Sequence, residues 1–287
     1  MIFKIYVVKF INICYYHYVM VTKKMLAAAV ILCPALAQAQ PEEQIEPYFN
    51  NKLRSELEYV VRTAGGSASQ KGSRGILEGE LDLHLDGILS LHPSFLISTE
   101  VLDYIAVEGL ALSNYLRPAL EFRIAPDWSW AAGFFGFGLA YRRDQDHVFI
   151  PGNIEGYNID NGGGFRLSAG LAGENLMFAF NSGLYIGERI SSYDSVRNTL
   201  SGEADLCFTP RISILSLPLC AGVAYNQLIL DPEDRMDINL NFYATPGIRL
   251  DDSAEIYAKL GATYMPPGFL DYYTEYTIGG GLIFAAE

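Results

Sequence analysis

Beyond residue 39 no stretch approaches the 18 apolar residues a membrane-spanning helix needs. Helical spans are therefore not expected, although 50% of the chain is hydrophobic. Basic residues are scarce, with 20 Lys and Arg against 33 Asp and Glu, a net charge of −13. Nucleic-acid binding requires clustered cations, so that partner class is set aside. Only four His and four Cys occur. Cys207 and Cys220, the pair outside the N-terminal leader, have neither a disulfide-framework pattern nor zinc spacing. There is no Gly-x-Ser-x-Gly elbow, no His-Glu-x-x-His and no phosphate-binding loop. Gly162-Gly163-Gly164 begins a strand pattern, not a helix. No metal, no cofactor and no enzymatic centre are expected.

What is present begins with a leader. Lys23 and Lys24 precede an apolar run from Met25 to Leu36, followed by Ala37-Gln38-Ala39. This is the basic, apolar, small-x-small order of a secretory signal, with cleavage expected before Gln40. Residues 1–19 do not fit that pattern and read as an over-extended start, with Met20 or Met25 as the true one. A retained N-terminal anchor is the alternative. Cys33 is no lipoprotein site, because Leu32 before it is not small. Residues 40–52 form a short acidic lead, and 53–287 form one domain.

That domain alternates apolar and polar residues throughout. Tyr is 19, Phe 16 and Gly 27. Leu120, Phe122 and Ile124 alternate with Glu121 and Arg123. Phe135, Phe137, Leu139 and Tyr141 alternate with Gly136, Gly138 and Arg142. Alternation of period two marks strands with two unlike faces. Repeated along the chain it predicts twelve strands, or ten given the irregularity of 86–116. Each has about the ten residues a tilted strand needs to cross a bilayer. Turns are expected at 125–127, 173–175, 209–210 and 251–253, and long connections at 143–163, 188–197, 226–236 and 266–271. Short turns on one side and long loops on the other distinguish a barrel from a soluble β-sandwich of the same composition.

The last strand, Thr274 to Phe284, carries a specific pattern. Thr277, Gly279, Leu282 and Phe284 resemble the C-terminal signal of bacterial outer-membrane β-barrels: polar, spacer, Gly, two spacers, then two apolar residues one apart, the last aromatic. The departure is the tail Ala285-Ala286-Glu287, where the family's aromatic residue is usually terminal. The resemblance implies an all-β, antiparallel transmembrane barrel with short periplasmic turns and long extracellular loops. It also implies export to the outer membrane of a diderm bacterium, contact with outer-membrane lipid and with the barrel-assembly machinery, and a monomeric state.

In such a barrel the polar face lines the lumen. The expected lining is Glu78, Glu80, Asp82, Asp86 and Glu100 on one side, with Arg117, Glu121, Arg123, Arg142 and Arg166 on the next. One wall then reads acidic and the other basic, as in a pore for small hydrophilic solutes. Paired charges filling the interior are the alternative. Loops that bind a ligand or host partner, an outer-membrane hydrolase, and a small OmpW-like barrel for apolar solutes are further readings. His84 reads as a lumen residue and His92, in Leu-His-Pro, as a turn residue. His147, in a loop with Asp144 and Asp146, is the best catalytic candidate, although a solvated loop explains it more simply. Cys207 and Cys220 are expected as two free thiols, because a turn at Thr209-Pro210 places them far apart on the wall.

Overall fold

A computed structural model describes residues 51–64, 67–86, 88–104, 109–125, 127–128, 131–149, 155–172, 176–192, 197–212, 214–229, 236–251, 253–265 and 273–286. The expected leader and its cleavage site lie outside them. In chain order the elements are β1 (Asn51–Ala64), β2 (Ser67–Glu80), β3 (Leu83–Asp86), β4 (Leu89–Tyr104), β5 (Leu110–Ile124), β6 (Asp127–Trp128), β7 (Ala131–Phe149) and β8 (Glu155–Ala172). They continue as β9 (Leu176–Ser191), β10 (Arg197–Ile212), β11 (Leu215–Ser216), β12 (Leu219–Ile229), β13 (Met236–Ala244), β14 (Gly247–Arg249), β15 (Ala254–Tyr264) and β16 (Tyr273–Ala286).

Twelve of these strands are long, and each pairs antiparallel with the next long strand along the chain. β16 also pairs with β1, so the sheet closes on itself. β3, β6, β11 and β14 are short and pair with β4, β7, β10 and β15. All four lie at the end of the barrel that carries the first residue of β1 and the last of β16, called here the terminal end. The opposite end is the far end.

The connection expected at 143–163 is mostly ladder. Pairs run from Ala132↔Ala172 to Phe149↔Glu155. At about 3.3 Å per residue this hairpin exceeds the reach of a bilayer crossing. Its far-end part carries a ring stack, with His147 5.9 Å from Phe149 and 6.2 Å from Tyr157. The connections at 188–197 and 226–236 shorten likewise.

Burial is inverted relative to a water-soluble protein. On β5, Glu121 is 1% exposed and Arg123 5%, while Leu120, Phe122 and Ile124 are 43%, 53% and 48% exposed. The outer wall is apolar all round, with ring contacts such as Phe137–Phe165 at 5.6 Å and Phe178–Phe208 at 5.1 Å. Such a surface far exceeds the apolar patches of soluble monomers and suits hydrocarbon. At the terminal end, Asp251 shapes the turn before β15. Its Oδ1 accepts from the Ser253 hydroxyl and backbone N–H, both at 2.8 Å. The hydroxyl first, and then the N–H, hold this exposed carboxyl below the ordinary aspartate range.

Candidate functional site in the barrel lumen

Inward positions alternate large polar residues with glycines across the ladder. Glu121 pairs with Gly138, and Gly138 with Arg166. Lys259 and Tyr257 pair with Gly279 and Gly281. A side chain beside a glycine can lie flat and reach the strand beyond it. The fit is close. A Cβ at Gly136 would stand 1.9 Å from Glu121 Oε1, and one at Gly279 2.3 Å from the Leu57 carbonyl oxygen.

The closing seam uses this reach most fully. Across Gly279 and Gly281, Lys259 Nζ donates to Glu56 Oε1 at 2.6 Å and the Tyr257 hydroxyl to Glu56 Oε2 at 2.6 Å. Tyr257 in turn accepts from Arg54 Nε at 2.7 Å. Nearer the far end, Glu275 on β16 takes Arg62 Nε at 2.7 Å and Arg74 Nη2 at 2.8 Å. Both arginines also bind Glu100 on β4, at 2.7 Å each. Arg74 Nη1 reaches Glu58 at 3.1 Å. Gly279, expected as part of an assembly signal, thus has a steric role in the closed wall. Phe284 and Leu282 face outward, and Thr277 inward.

Further round the wall, Arg117 on β5 pairs with Glu203 on β10, although β7, β8 and β9 lie between their strands. The pair therefore cuts across the lumen. Arg166 on β8 similarly reaches Ser94 on β4 at 3.3 Å. Beside these crossings lies a cavity of about 660 Å³. Its charged lining comprises Glu58, Glu78, Glu100, Asp144, Asp146, Glu203, Asp205 and Glu275, with Arg54, Arg62, Arg74, Arg117, Arg166 and Lys259. Carboxylates thus exceed cations by two.

The terminal end is packed. Ser90, His92, Glu121, Arg123, Phe134 and Ser168 are each at most 8% exposed, and none lines the cavity. Glu121 accepts from Arg123 Nε at 3.1 Å and from the Ser168 hydroxyl, and lies 3.7 Å from Arg166 Nε. Arg123 stacks 4.6 Å over the Phe134 ring. His92 Nε2 is 2.9 Å from Ser90 Oγ and 3.0 Å from Asp82 Oδ1.

Glu78, Glu80, Glu100, Arg117, Glu121, Arg123, Arg142 and Arg166 occupy inward positions, as their alternation predicts. Two separate walls of opposite sign do not form. Arg54, Arg62, Arg74 and Lys259 interleave with the acidic row, and Arg142 faces Asp144 on its own strand at 3.6 Å. Asp82 departs from the row because regular pairing stops at Glu80. His84 beyond it has a side chain 74% exposed. The Asp86 side chain lies outside the described residues. His92 is not in a turn but buried within β4. His147 lies one residue out of phase with Asp144 and Asp146, on the opposite face of β7, so the expected Asp–His pair does not form. It meets Gln145 instead.

The two thiols are not free. Cys207 and Cys220 are directly opposite partners with Cα atoms 4.1 Å apart, joined as a disulfide. Ile212 pairs with Leu215, so the hairpin closes there, and Pro210 is still within β10, paired with Leu176. The turn expected at Thr209-Pro210 was four residues early, and that shift accounts for the misplaced Cys220.

No family description and no curated protein sequence match this chain. Solved structures do match in shape. An outer-membrane channel of Pseudomonas putida F1 superposes with a TM-score of 0.52 at 14% identity, over 86% of this chain and 100% of that one. The translocator domain of the autotransporter NalP from Neisseria meningitidis gives 0.50 at 12%, over 92% and 95%. The β domain of the Bordetella autotransporter BrkA gives 0.50 at 10%, over 82% and 99%. At these identities the likeness concerns architecture, and the chain has the closed, antiparallel, twelve-stranded fold of bacterial outer-membrane β-barrels.

Proposed function

We propose that the protein is a monomeric outer-membrane channel for passive diffusion of small hydrophilic solutes, with a weak preference for cations. The observation that carries this reading is the polar cavity of about 660 Å³ inside a wall that is apolar outside. Its surplus of carboxylates favours cations, because charges in a confined, low-dielectric channel act more strongly than surface charges. The leader read from the sequence supplies export, and the terminal strand supplies recognition by the barrel-assembly machinery. Among the described residues, the Ser90–His92–Asp82 contact is sealed in the packed end and both partners meet the same imidazole nitrogen, an arrangement that does not support catalysis.

Planar-bilayer recording of the purified barrel tests the reading. Asp144→Asn combined with Asp146→Asn should move the reversal potential toward anions. The shift should shrink as salt shortens the screening length below about 8–10 Å. Arg117→Gln combined with Glu203→Gln removes the crossing pair and should raise unit conductance. An absence of conductance in wild type and in both variants would end the channel reading.

A further inference from the structure

We infer that the packed terminal end is a proton-responsive gate, in which acid tightens the closure through His92 and Asp82. This rests on the channel reading and adds a means of regulation to it. The buried carboxylates of the lumen differ in one respect. Glu56, Glu58, Glu100, Glu121 and Glu275 each pair with at least one Arg or Lys, whose charge is fixed across physiological pH. Asp82 does not. Its side chain is 3% exposed, and among the described residues its ion-pair partners are two imidazoles: His92 Nε2 at 3.0 Å and His84 Nδ1 at 3.2 Å from Oδ1. Its Oδ2 is buried with no hydrogen-bond partner. The compensation of this one carboxylate therefore depends on whether histidine carries a proton, and histidine titrates near neutrality.

The surroundings determine the sign. Facing His92 are Ser90 on its own strand, Asp82 and His84 on the segment before it, Glu80 on β2, and Glu121, its direct cross-strand partner on β5. Arg123 on β5, Arg166 on β8 and Lys52 on β1 act on Glu80 in the same group. Of these, Asp82 and Ser90 in direct contact with His92 and Glu121 in direct register with it are acidic or neutral, so a proton on His92 completes the pair with Asp82. When both histidines are neutral, Asp82 is a buried charge held by hydrogen bonds alone, and the packing around it loosens. His84, largely exposed, gives protons access from the terminal end.

The test is conductance of the purified barrel between about pH 7.5 and about pH 5.5, the range across which histidine gains its charge. Wild-type conductance should fall severalfold on acidification. His92→Gln and Asp82→Asn should each flatten that response, and His84→Gln should weaken it. An unchanged pH response in both His92→Gln and Asp82→Asn overturns the inference, as does opening by acid. Two further measurements separate it from the channel reading. Glu121→Ala with Arg123→Ala removes the packed layer, and silence of this variant at every pH counts against the channel and not against the proton link. The temperature at which the barrel unfolds on semi-native gels then decides the link. It should rise with acidification in wild type and lose that rise in His92→Gln, and an identical rise in both overturns it.

Discussion

The seam where β16 meets β1 and the wall from β10 to β13 hold the same ladder by different means. At the seam the partners come from opposite ends of the chain, as in Arg62–Glu275 and Lys259–Glu56. No turn fixes their register. Charged side chains meeting over glycines specify it instead, because a slip of one residue would put Glu275 on the outer face. On β10 to β13 the inward residues are mostly neutral, and successive strands follow one another along the chain. There a hairpin sets the register and a disulfide with a sequence separation of 13 secures it. Proximity in sequence substitutes for electrostatic specificity. Where proximity is lost, fixed charges replace it.

The largest effect should come from the seam. Glu275→Gln leaves Arg62 and Arg74 short of a buried partner and should cost about 3–5 kcal/mol, read as a lower unfolding temperature on semi-native gels. Glu78→Gln, whose contact with Arg54 is looser at 3.7 Å, should cost clearly less. Replacing Cys207 and Cys220 by Ser should cost roughly 2–4 kcal/mol, through the freed hairpin in the unfolded chain. Wild type in reductant should reproduce the loss. Gly279→Val should cost about 1–3 kcal/mol, because the new side chain collides with the β1 backbone. Gly75→Val, where nothing lies within 4 Å, should be neutral in the same assay. If the two glycine variants behave alike, Gly279 has no steric role in the closed wall. The smallest effect should be Asp251→Asn. Its folded pKa is lowered, so its contribution is present above the ordinary aspartate value of 3.8 and fades as the pH falls through the folded one. A stability difference between Asp251→Asn and wild type at neutral pH that disappears in strong acid would bear this out.

Strands and their faces were legible because period-two alternation is a direct imprint of the pleat. Leu120-Glu121-Phe122-Arg123-Ile124 admits one assignment of faces, and the closed sheet has it. Ends of strands were not legible. Residues such as Arg143, Asp144 and Gln145 are polar on both faces, and a polar hairpin beyond the apolar band looks like a loop. Prolines misled in a specific way. Pro210 and Pro93 sit inside strands, and the β5–β7 ladder steps past Arg117 and Pro118 without pairing them. An irregular wall accepts proline where a flat central strand would not. Glu78, Glu80, Glu100, Arg117, Glu121, Arg123, Arg142 and Arg166 take the inward positions their alternation indicates, but Arg54, Arg62, Arg74 and Lys259 were not among the expected lining, and no ion pair was legible. Which arginine meets which carboxylate depends on strands up to four places apart, as in Arg117–Glu203, and composition carries no trace of that. Arg74 pairs with three carboxylates, yet lies in the stretch Gly72-Ser73-Arg74-Gly75, where alternation is too weak to show its face.

The seam also orders events in time. Its charged contacts join residues more than 200 apart, as in Lys259–Glu56 and Arg74–Glu275. Local hairpins can zip as they emerge, but the ring cannot close until Tyr273–Ala286 has been made and brought round to Asn51–Ala64. Until then β1 and the newest strand are bare edges with unpaired backbone groups, the form of sheet most prone to pair with another chain. Contacts of such long sequence separation are reached slowly, since the loop must be closed before any of its bonds is gained. The fourteen residues of the closing strand therefore determine how long the chain stays vulnerable.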